Sequence, residues 1–515
     1  MAAETETELK FDLRAGEVEA LRRSGAVDDL AVGTAETETL VSTYYDTPER
    51  ALRAAAVSLR IRRKGRRIEQ TVKTADRPIG ALAERREVTV PLAGEAPDLS
   101  AIGDGDLEAR IRDLIGTAEL VELFTIRMTR TQRLLVTRGG DEIEYAVDDA
   151  EIVAGERRAT FAEAEFELKS GDPRALFQVA RQALATVPVR FSDVPKSERG
   201  YRLAEAEAAA GPTAPVKAEE PEITADMTVE VALRAVLRSC FAQIAANAVV
   251  VQESADPEGP HQLRVGLRRL RSALSIFGKV IDRPAAARLI EETRWLAGVV
   301  GDLRDLDVLA EEIVAPCAHR VDAAPLLAVL AARRASLRAE LVKTLGGPRV
   351  GAYLIDLAAY VEGRGWLSFT DLGQSQALAA PAEAFAEEAL RRLWTKVARM
   401  GRDVDALSGE ERHDLRKAFK KLRYGLDFFG REMSSRDRRR ALRDVKAAQD
   451  VLGYLNDVLM AERMAGVVHA APEYAGADVA AIERAMGYCL GWHEARAERI
   501  WEEAKARVSL DPDEV

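Results

Sequence analysis

The chain of 515 residues carries 74 Lys and Arg against 85 Asp and Glu, a net charge of −11, with 47% apolar, 31% charged and 5% aromatic residues. That balance excludes a disordered chain, argues against a general nucleic-acid binder, and at this length fits roughly two to four domains. Three scattered cysteines, Cys240, Cys317 and Cys489, exclude a disulfide framework and the usual zinc spacings. The opening MAAETETELK is acidic and lacks an apolar segment, so no secretory signal is expected. No charge-free apolar run approaches the ~18 residues of a membrane span, and a cytoplasmic location without membrane contact is the matching expectation.

From the N-terminus to Leu203, TETELKF, VSLRIRR, IEQTVK, REVTVPL, IEYAVDD and AEFELK alternate polar with apolar residues and read as strands of period two. Residues 204–222, AEAEAAAGPTAPVKAEEPE, offer almost nothing to bury and read as a linker. From residue 223 to 515 apolar residues recur every three or four positions and strand signals vanish. The predicted fold class is therefore α+β multidomain: an antiparallel β domain over 1–203 and an all-α domain over 223–515.

The polar faces of the strands carry an unusual charge pattern. Glu6, Glu8 and Lys10 alternate on one strand, Arg60, Arg62 and Lys64 on another, Thr71 and Lys73 on a third. Arg85, Glu87 and Thr89 make a fourth set, Glu163, Glu165, Glu167 and Lys169 a fifth, with Arg127 and Arg130 in a further strand and Lys196 beyond. If the sheet closes, such faces line one polar interior, where cations would neutralise a polyanion and carboxylates hold a divalent metal bridging it. The chemistry implied is metal-assisted phosphoryl hydrolysis.

These residues resemble the CYTH domain, the triphosphate tunnel metalloenzymes. Glu6-Thr7-Glu8-Leu9-Lys10 fits that family's ExExK signature, followed in order by YYDTP at Tyr44 to Pro48, SLRIR at Ser58 to Arg62, TVK at Thr71 to Lys73, Arg85-x-Glu87, EAEFELKSG from Glu163, and Lys196-Ser197 before Arg199-Gly200-Tyr201. The resemblance implies an eight-stranded antiparallel barrel that hydrolyses or cyclises triphosphates with Mg2+ or Mn2+. It implies that Glu6, Glu8, Glu165 and Glu167 serve the metals and the attacking water, with Lys10 beside them. Arg60, Arg62, Lys73, Arg85, Arg127, Arg130 and Lys196 would hold phosphate. Thr89 departs from the pattern, standing where the family often has another acid.

The helical half contains a repeat. HQLRVGLRRLRSALSIF begins at His261 and HDLRKAFKKLRYGLDFF at His413; GDLRDLDVL begins at Gly301 and GYLNDVLM at Gly453, and both offsets are 152 residues. Two copies of a helical unit about a pseudo-twofold axis are expected. His261, Arg264, Arg268 and Arg271 share one helical stripe, as do His413, Arg416, Lys420 and Arg423, with Arg269, Lys417 and Lys421 adding charge. Paired by the twofold, these helices would form a basic groove, with aspartates of the downstream segments orienting its arginines. The few aromatic residues there argue against nucleic acid.

This half resembles the CHAD domain, a conserved-histidine α-helical module, over about Met227 to Val508. The resemblance implies two pseudo-symmetric bundles around a basic channel that binds inorganic polyphosphate, through the eleven residues just named. The combined expectation is a metal-dependent inorganic triphosphatase releasing phosphate from triphosphate, with a polyphosphate-binding appendage that would bring it to polyphosphate granules. The alternative is a polyphosphate-binding, granule-targeting protein with a weak or inactive barrel. An adenylate cyclase ranks below both, because no adenine pocket is recognisable.

Overall fold

The computed structural model describes residues 4–75, 81–192, 194–206, 214–368, 370–430 and 435–508. They gather into two compact units. One comprises Met1–Pro215, Gln252–Ser254 and Leu345–Arg364; the other comprises Val216–Val251, Ala255–Thr344 and Gly365–Val515.

The first unit is built on eight strands: β1 (Glu4–Leu13), β2 (Ala31–Asp46), β3 (Val57–Lys64), β4 (Arg67–Ala75), β5 (Ala83–Pro91), β6 (Val121–Val136), β7 (Glu142–Ala154) and β8 (Arg157–Ser170). They close into an antiparallel barrel in the order β1-β5-β4-β3-β2-β6-β7-β8. The closing pair sets Glu8 opposite Glu167 and Lys10 opposite Glu165. Because a strand alternates its faces, the apolar residues between those charges point outward and must be covered. Val57, Leu59, Val72, Val88 and Val90 pack beneath Leu52 of α2 (Ala51–Ala54) and Leu107 and Ile111 of α3 (Gly105–Ile115). On the other side α1 (Ala15–Arg22) lies over β7 and β8 and α4 (Arg174–Ala183) over β8 and β1; there Tyr145 stacks on Phe166, which meets Phe11 edge to face.

A fifth helix, α5 (Lys196–Ala204), lies against inward-facing side chains. Its Tyr201 and Leu203 join Leu40, Tyr44, Phe124, Ile126, Met128, Ala150 and Ile152 in one buried cluster. Asp46 fixes the approach by accepting from Tyr201 Oη at 2.8 Å and from the backbone N–H groups of Leu52 and Arg53 at 2.8 and 2.9 Å. Gly200 permits it, since a Cβ there would overlap the Phe124 ring. Gly200→Ala is expected to destabilise the barrel by about 1–3 kcal/mol through overpacking, read as a lower thermal midpoint of its unfolding; an unchanged midpoint would show that the helix can withdraw freely.

The second unit contains α6 (Val229–Glu253), α7 (Glu258–Ile276), α8 (Arg283–Val308) and α9 (Ala324–Leu345), then α11 (Leu372–Ala379), α12 (Ala382–Met400), α13 (Gly409–Phe429), α14 (Ser435–Ala461), α15 (Met464–His469) and α16 (Val479–Val508). Between α9 and α11 the chain returns to the barrel unit, where α10 (Pro348–Glu362) packs on α4, with Asp356 pairing Arg181 at 3.1 Å. The repeat is visible in the backbone. Val229 N–H donates to Ala380 O and Ala382 N–H to Met227 O, both at 2.9 Å, a reciprocal pair at an offset of 153 residues. From it α6, α7 and α8 run in the same succession as α12, α13 and α14. By length and composition α6 could cross a membrane, but 61% of its most apolar window is buried inside the fold.

Candidate active site and cationic groove

Inside the barrel the alternating charges meet as a mutually neutralising lattice. Lys73 Nζ lies 2.6 Å from Glu6 and 2.5 Å from Glu87, which also attracts Arg60 at 3.7 Å. Lys10 bridges Glu8 at 3.1 Å and Glu165 at 2.8 Å across the β1–β8 seam. Arg130 grips Asp148 with two bonds of 2.8 and 2.7 Å and touches Glu165. From α5, Lys196 reaches Asp148 at 3.1 Å, Glu165 at 2.7 Å and Glu163. Arg62 is held by Ser42 Oγ at 3.1 Å.

The electrostatics follow from burial opposed by these partners. Burial would raise the Glu87 carboxyl, but Lys73 and Arg60 hold it down at about 2. Burial likewise opposes ionisation of Glu165, yet Lys10, Lys196 and Arg130 hold it well below the usual carboxylate range. Burial pushes Glu163 up to about 6 and outweighs its attraction to Lys196. Arg62, buried beside Arg60 and Arg130, is brought down to about 10, a cation short of counter-charge.

Of the residues expected to hold phosphate, Arg60, Arg62, Lys73 and Arg130 line the interior, as do Lys10 and the Lys196 ammonium. Arg127 does not. It is exposed on the outer face, opposite Val41 and Glu151, because residues three apart on a strand point to opposite sides. Arg85 lies in β5, but its side chain is outside the described residues. Lys196 comes from a helix, which a reading of strands alone would not place. Thr89, standing where an acid was expected, bonds Thr71 at 3.0 Å and donates to Glu87 Oε1 at 2.9 Å, and so positions a carboxylate without being one.

Of two buried acids, Asp148 escaped the sequence reading, while Glu163 was placed on the inward face but given no role of its own. Asp148 and Glu163 are fully buried, and with Glu165 they bring carboxylate oxygens within 4.8 Å of one another, a spacing suited to a metal. Lys196 already sits among all three, so a cation there would have to displace an ammonium. Glu6 and Glu167 are likewise each paired with an ammonium, Lys73 and Lys169, both at 2.6 Å. Burial, helped by the charges of Glu6 and Glu144, pushes the Glu167 carboxyl up against the opposing bond from Lys169. Like charges gathered in this way favour a divalent cation. Tyr44 was also missed as a lining group. Burial would raise its phenol, but Arg60, Arg62 and Lys196 bring it below its ordinary value.

In the helical unit, α7 and α13 bring repeat-equivalent cations together. Arg264 bonds Asp305 at 2.8 Å and Gly301 O at 3.3 Å. Arg268 Nε donates to Tyr424 Oη of α13 at 3.4 Å. Burial and the charges of Arg416, Arg268 and Arg264 push Lys420 down to about 7, so these four groups share one field. His413 Nδ1 donates to Asn456 Oδ1 at 2.9 Å; the equivalent pair in the first copy sets His261 near Arg304. Burial, with Arg304, Arg268 and Arg264, lowers His261, which disfavours the protonated donor the sequence suggested.

The other expected groove residues disperse. Arg269 is buried, bonding Gln243 at 3.0 Å and Ser239 at 3.1 Å, with Phe428 beneath its guanidinium, and serves packing. Lys417 pairs Asp414 at 2.5 Å on an exposed surface, and Arg423 lies beside Asp427 at 3.9 Å. Arg271 feels Arg294 and Arg268, and Lys421 turns toward Lys396, Arg392 and Arg283.

One half of the chain thus presents a charged barrel interior, and the other a twofold-repeated cationic helical surface. Residues 4–201 match the CYTH domain and residues 235–466 the CHAD domain, so the chain carries both. It is 31% identical over 169 residues to the inorganic triphosphatase of Haemophilus influenzae; the match covers 32% of this chain and 46% of that relative, so the chain spans less than half of its length. It is similar to the solved CHAD domain of the plant Ricinus communis, with 29% identity and a TM-score of 0.50, over 58% of this chain and 98% of that one.

Proposed function

We propose that the barrel hydrolyses inorganic triphosphate to diphosphate and phosphate with a divalent metal, Mg2+ or Mn2+, and that the helical half binds inorganic polyphosphate. The observation carrying the first part is the convergence of Arg60, Arg62, Lys73 and Arg130 with Glu6, Glu8, Glu165 and Glu167 inside one closed barrel. The likeness to an inorganic triphosphatase supports it. A substrate entering the lattice takes the cations from their carboxylates, and Glu6, Glu8 and Glu167, with Glu165 deeper in, become free to hold metal. The bound metal supplies charge neutralisation on the phosphate oxygens. Water then attacks the terminal phosphorus, its bond to the bridging oxygen breaks, diphosphate departs with the electron pair, and the water proton passes to a carboxylate of the Glu6–Glu167 group. Release of phosphate from triphosphate, ATP and long-chain polyphosphate, with and without each metal, tests the assignment.

The strand parity makes a paired prediction. Arg130→Ala should raise KM for triphosphate and slow turnover, on the order of a hundredfold in kcat/KM, because a buried guanidinium is lost from the interior. Arg127→Ala should change neither parameter. Equal effects of the two would place both side chains on one face and refute the parity.

For the helical half, the shared field of Arg264, Arg268, Arg416 and Lys420 supports polyanion binding. A bound polyanion must raise the pKa of Lys420 from about 7, so binding takes up a proton. Affinity for polyphosphate should therefore fall as pH rises above about 7, by up to about tenfold per unit, and Lys420→Arg should flatten that profile. An identical profile in the variant would remove Lys420 from the binding groups.

A further inference from the structure

The pseudo-twofold allows each position of one copy to be compared with its counterpart. In the first copy Arg269 is satisfied by neutral groups, Gln243 Oε1 and Ser239 Oγ, with Glu219 O at 3.5 Å. The counterparts of Arg269, Ser239 and Gln243 in the second copy, at offsets of 152 and 153 residues, are Lys421, Arg392 and Lys396. Both neutral partners have become cations. Arg283 joins them from the start of α8.

Three of these groups bond at the C-terminal end of α7, and Lys396 adds its charge to Lys421, while Glu388 and Asp414 feel Arg392 and Lys396 only at longer range. Lys421 bonds Ser275 Oγ, Arg392 donates to Ile276 O at 3.2 Å, and Arg283 to Gly278 O at 3.0 Å. Such bonds complement the helix terminus but use only part of each side chain's donor capacity. Among the described residues no carboxylate lies within ion-pair distance of any of the four. The nearby acids are already engaged, Glu388 with Lys279 at 3.1 Å and Asp414 with Lys417 at 2.5 Å. Burial first, and then the charges of Lys396, Arg392 and Arg283, push Lys421 down to about 8.

We infer that Lys421, Arg392, Lys396 and Arg283 form a second oxyanion site, on a different face of α13 from the groove, that holds phosphate groups of an inorganic polyphosphate chain. Guanidinium forks match phosphate oxygens in pairs and ammonium groups add point charge, so the mixture suits a multiply charged phosphate. Ser275 lies seven residues along α7 from Arg268, about 10 Å, so one extended polyanion reaches both sites. The inference rests on the reading that the helical half binds polyphosphate, and adds to it a second anchor that the repeat does not duplicate.

The test uses the full chain and long-chain inorganic polyphosphate. Lys396→Ala with Lys421→Ala should weaken binding about fivefold or more and reduce its salt dependence by about two phosphate contacts. Arg320→Ala with Lys343→Ala, which removes two exposed cations elsewhere, should do neither. Polyphosphate should also shield Lys396 and Lys421 from an amine-acylating reagent, in the native chain and in an Arg264→Ala, Lys420→Ala variant. Unchanged affinity with unshielded lysines would overturn the second site, while weak binding by the groove variant would leave the groove intact. Normal binding by the groove variant and the Lys396→Ala, Lys421→Ala variant alike would instead defeat the groove reading. Equal shielding by polyglutamate would overturn the assignment to phosphate.

Discussion

Replacing Glu6 and Glu8 together by glutamine is expected to abolish phosphate release from triphosphate, by on the order of a hundredfold or more, while the barrel stays folded. Glutamine keeps the size of each side chain and removes the charge that would hold a divalent metal. The lattice explains why the fold should survive: Lys73 keeps Glu87 at 2.5 Å when Glu6 is neutral, and Lys10 keeps Glu165 at 2.8 Å when Glu8 is neutral. Circular dichroism and the unfolding midpoint check the fold, and phosphate release checks the chemistry. Full activity in a folded double variant would remove these residues from the active site.

The second large effect belongs to Lys196. Its ammonium is the cation common to Asp148, Glu163 and Glu165, and the first two of these are fully buried. Lys196→Met should cost about 3–5 kcal/mol of barrel stability, because the fully buried Glu163 loses its close cation, while Asp148 keeps Arg130 and Glu165 keeps Lys10 and Arg130. The pH dependence has a definite sign. In the native chain Glu165 is held well below its usual range, so its contribution is present above the unfolded carboxylate pKa and is lost as pH falls. Without Lys196 that depression shrinks, and burial makes the protonated acids the favoured forms. The deficit of the variant should therefore be largest near neutral pH and narrow on acidification, as unfolding midpoints near pH 7.5 and pH 5 would record. A deficit independent of pH would point to lost packing instead of lost charge.

Much of the barrel was legible because its inward charges recur at every second residue of β1, β3 and β8, where period two is unambiguous. Asp148 was not, because β7 is covered on both faces. Its inward neighbours Ala146 and Ala150 are small, its outward Tyr145 and Val147 are apolar, and one acid in such a run carries no periodic signal. Arg127 stands close to Arg130 in sequence, but their separation of three residues puts the two on opposite faces of β6, so nearness in sequence is a poor guide to facing there. In the helices the offset of 152 residues revealed the symmetry, yet Arg268 and Arg269 differ by one position and a third of a turn, enough to send one toward Tyr424 and the other into the core. The return of α10 to the barrel unit left no trace in periodicity, since an amphipathic pattern does not say which partner covers it.

The most direct measurement is phosphate release from inorganic triphosphate by the full chain, with Mg2+ or Mn2+ and again after chelation. The proposed chemistry predicts one phosphate and one diphosphate per triphosphate, dependent on metal and lost on chelation. Metal-loaded protein that leaves triphosphate intact, or releases phosphate equally well in chelator, would contradict it.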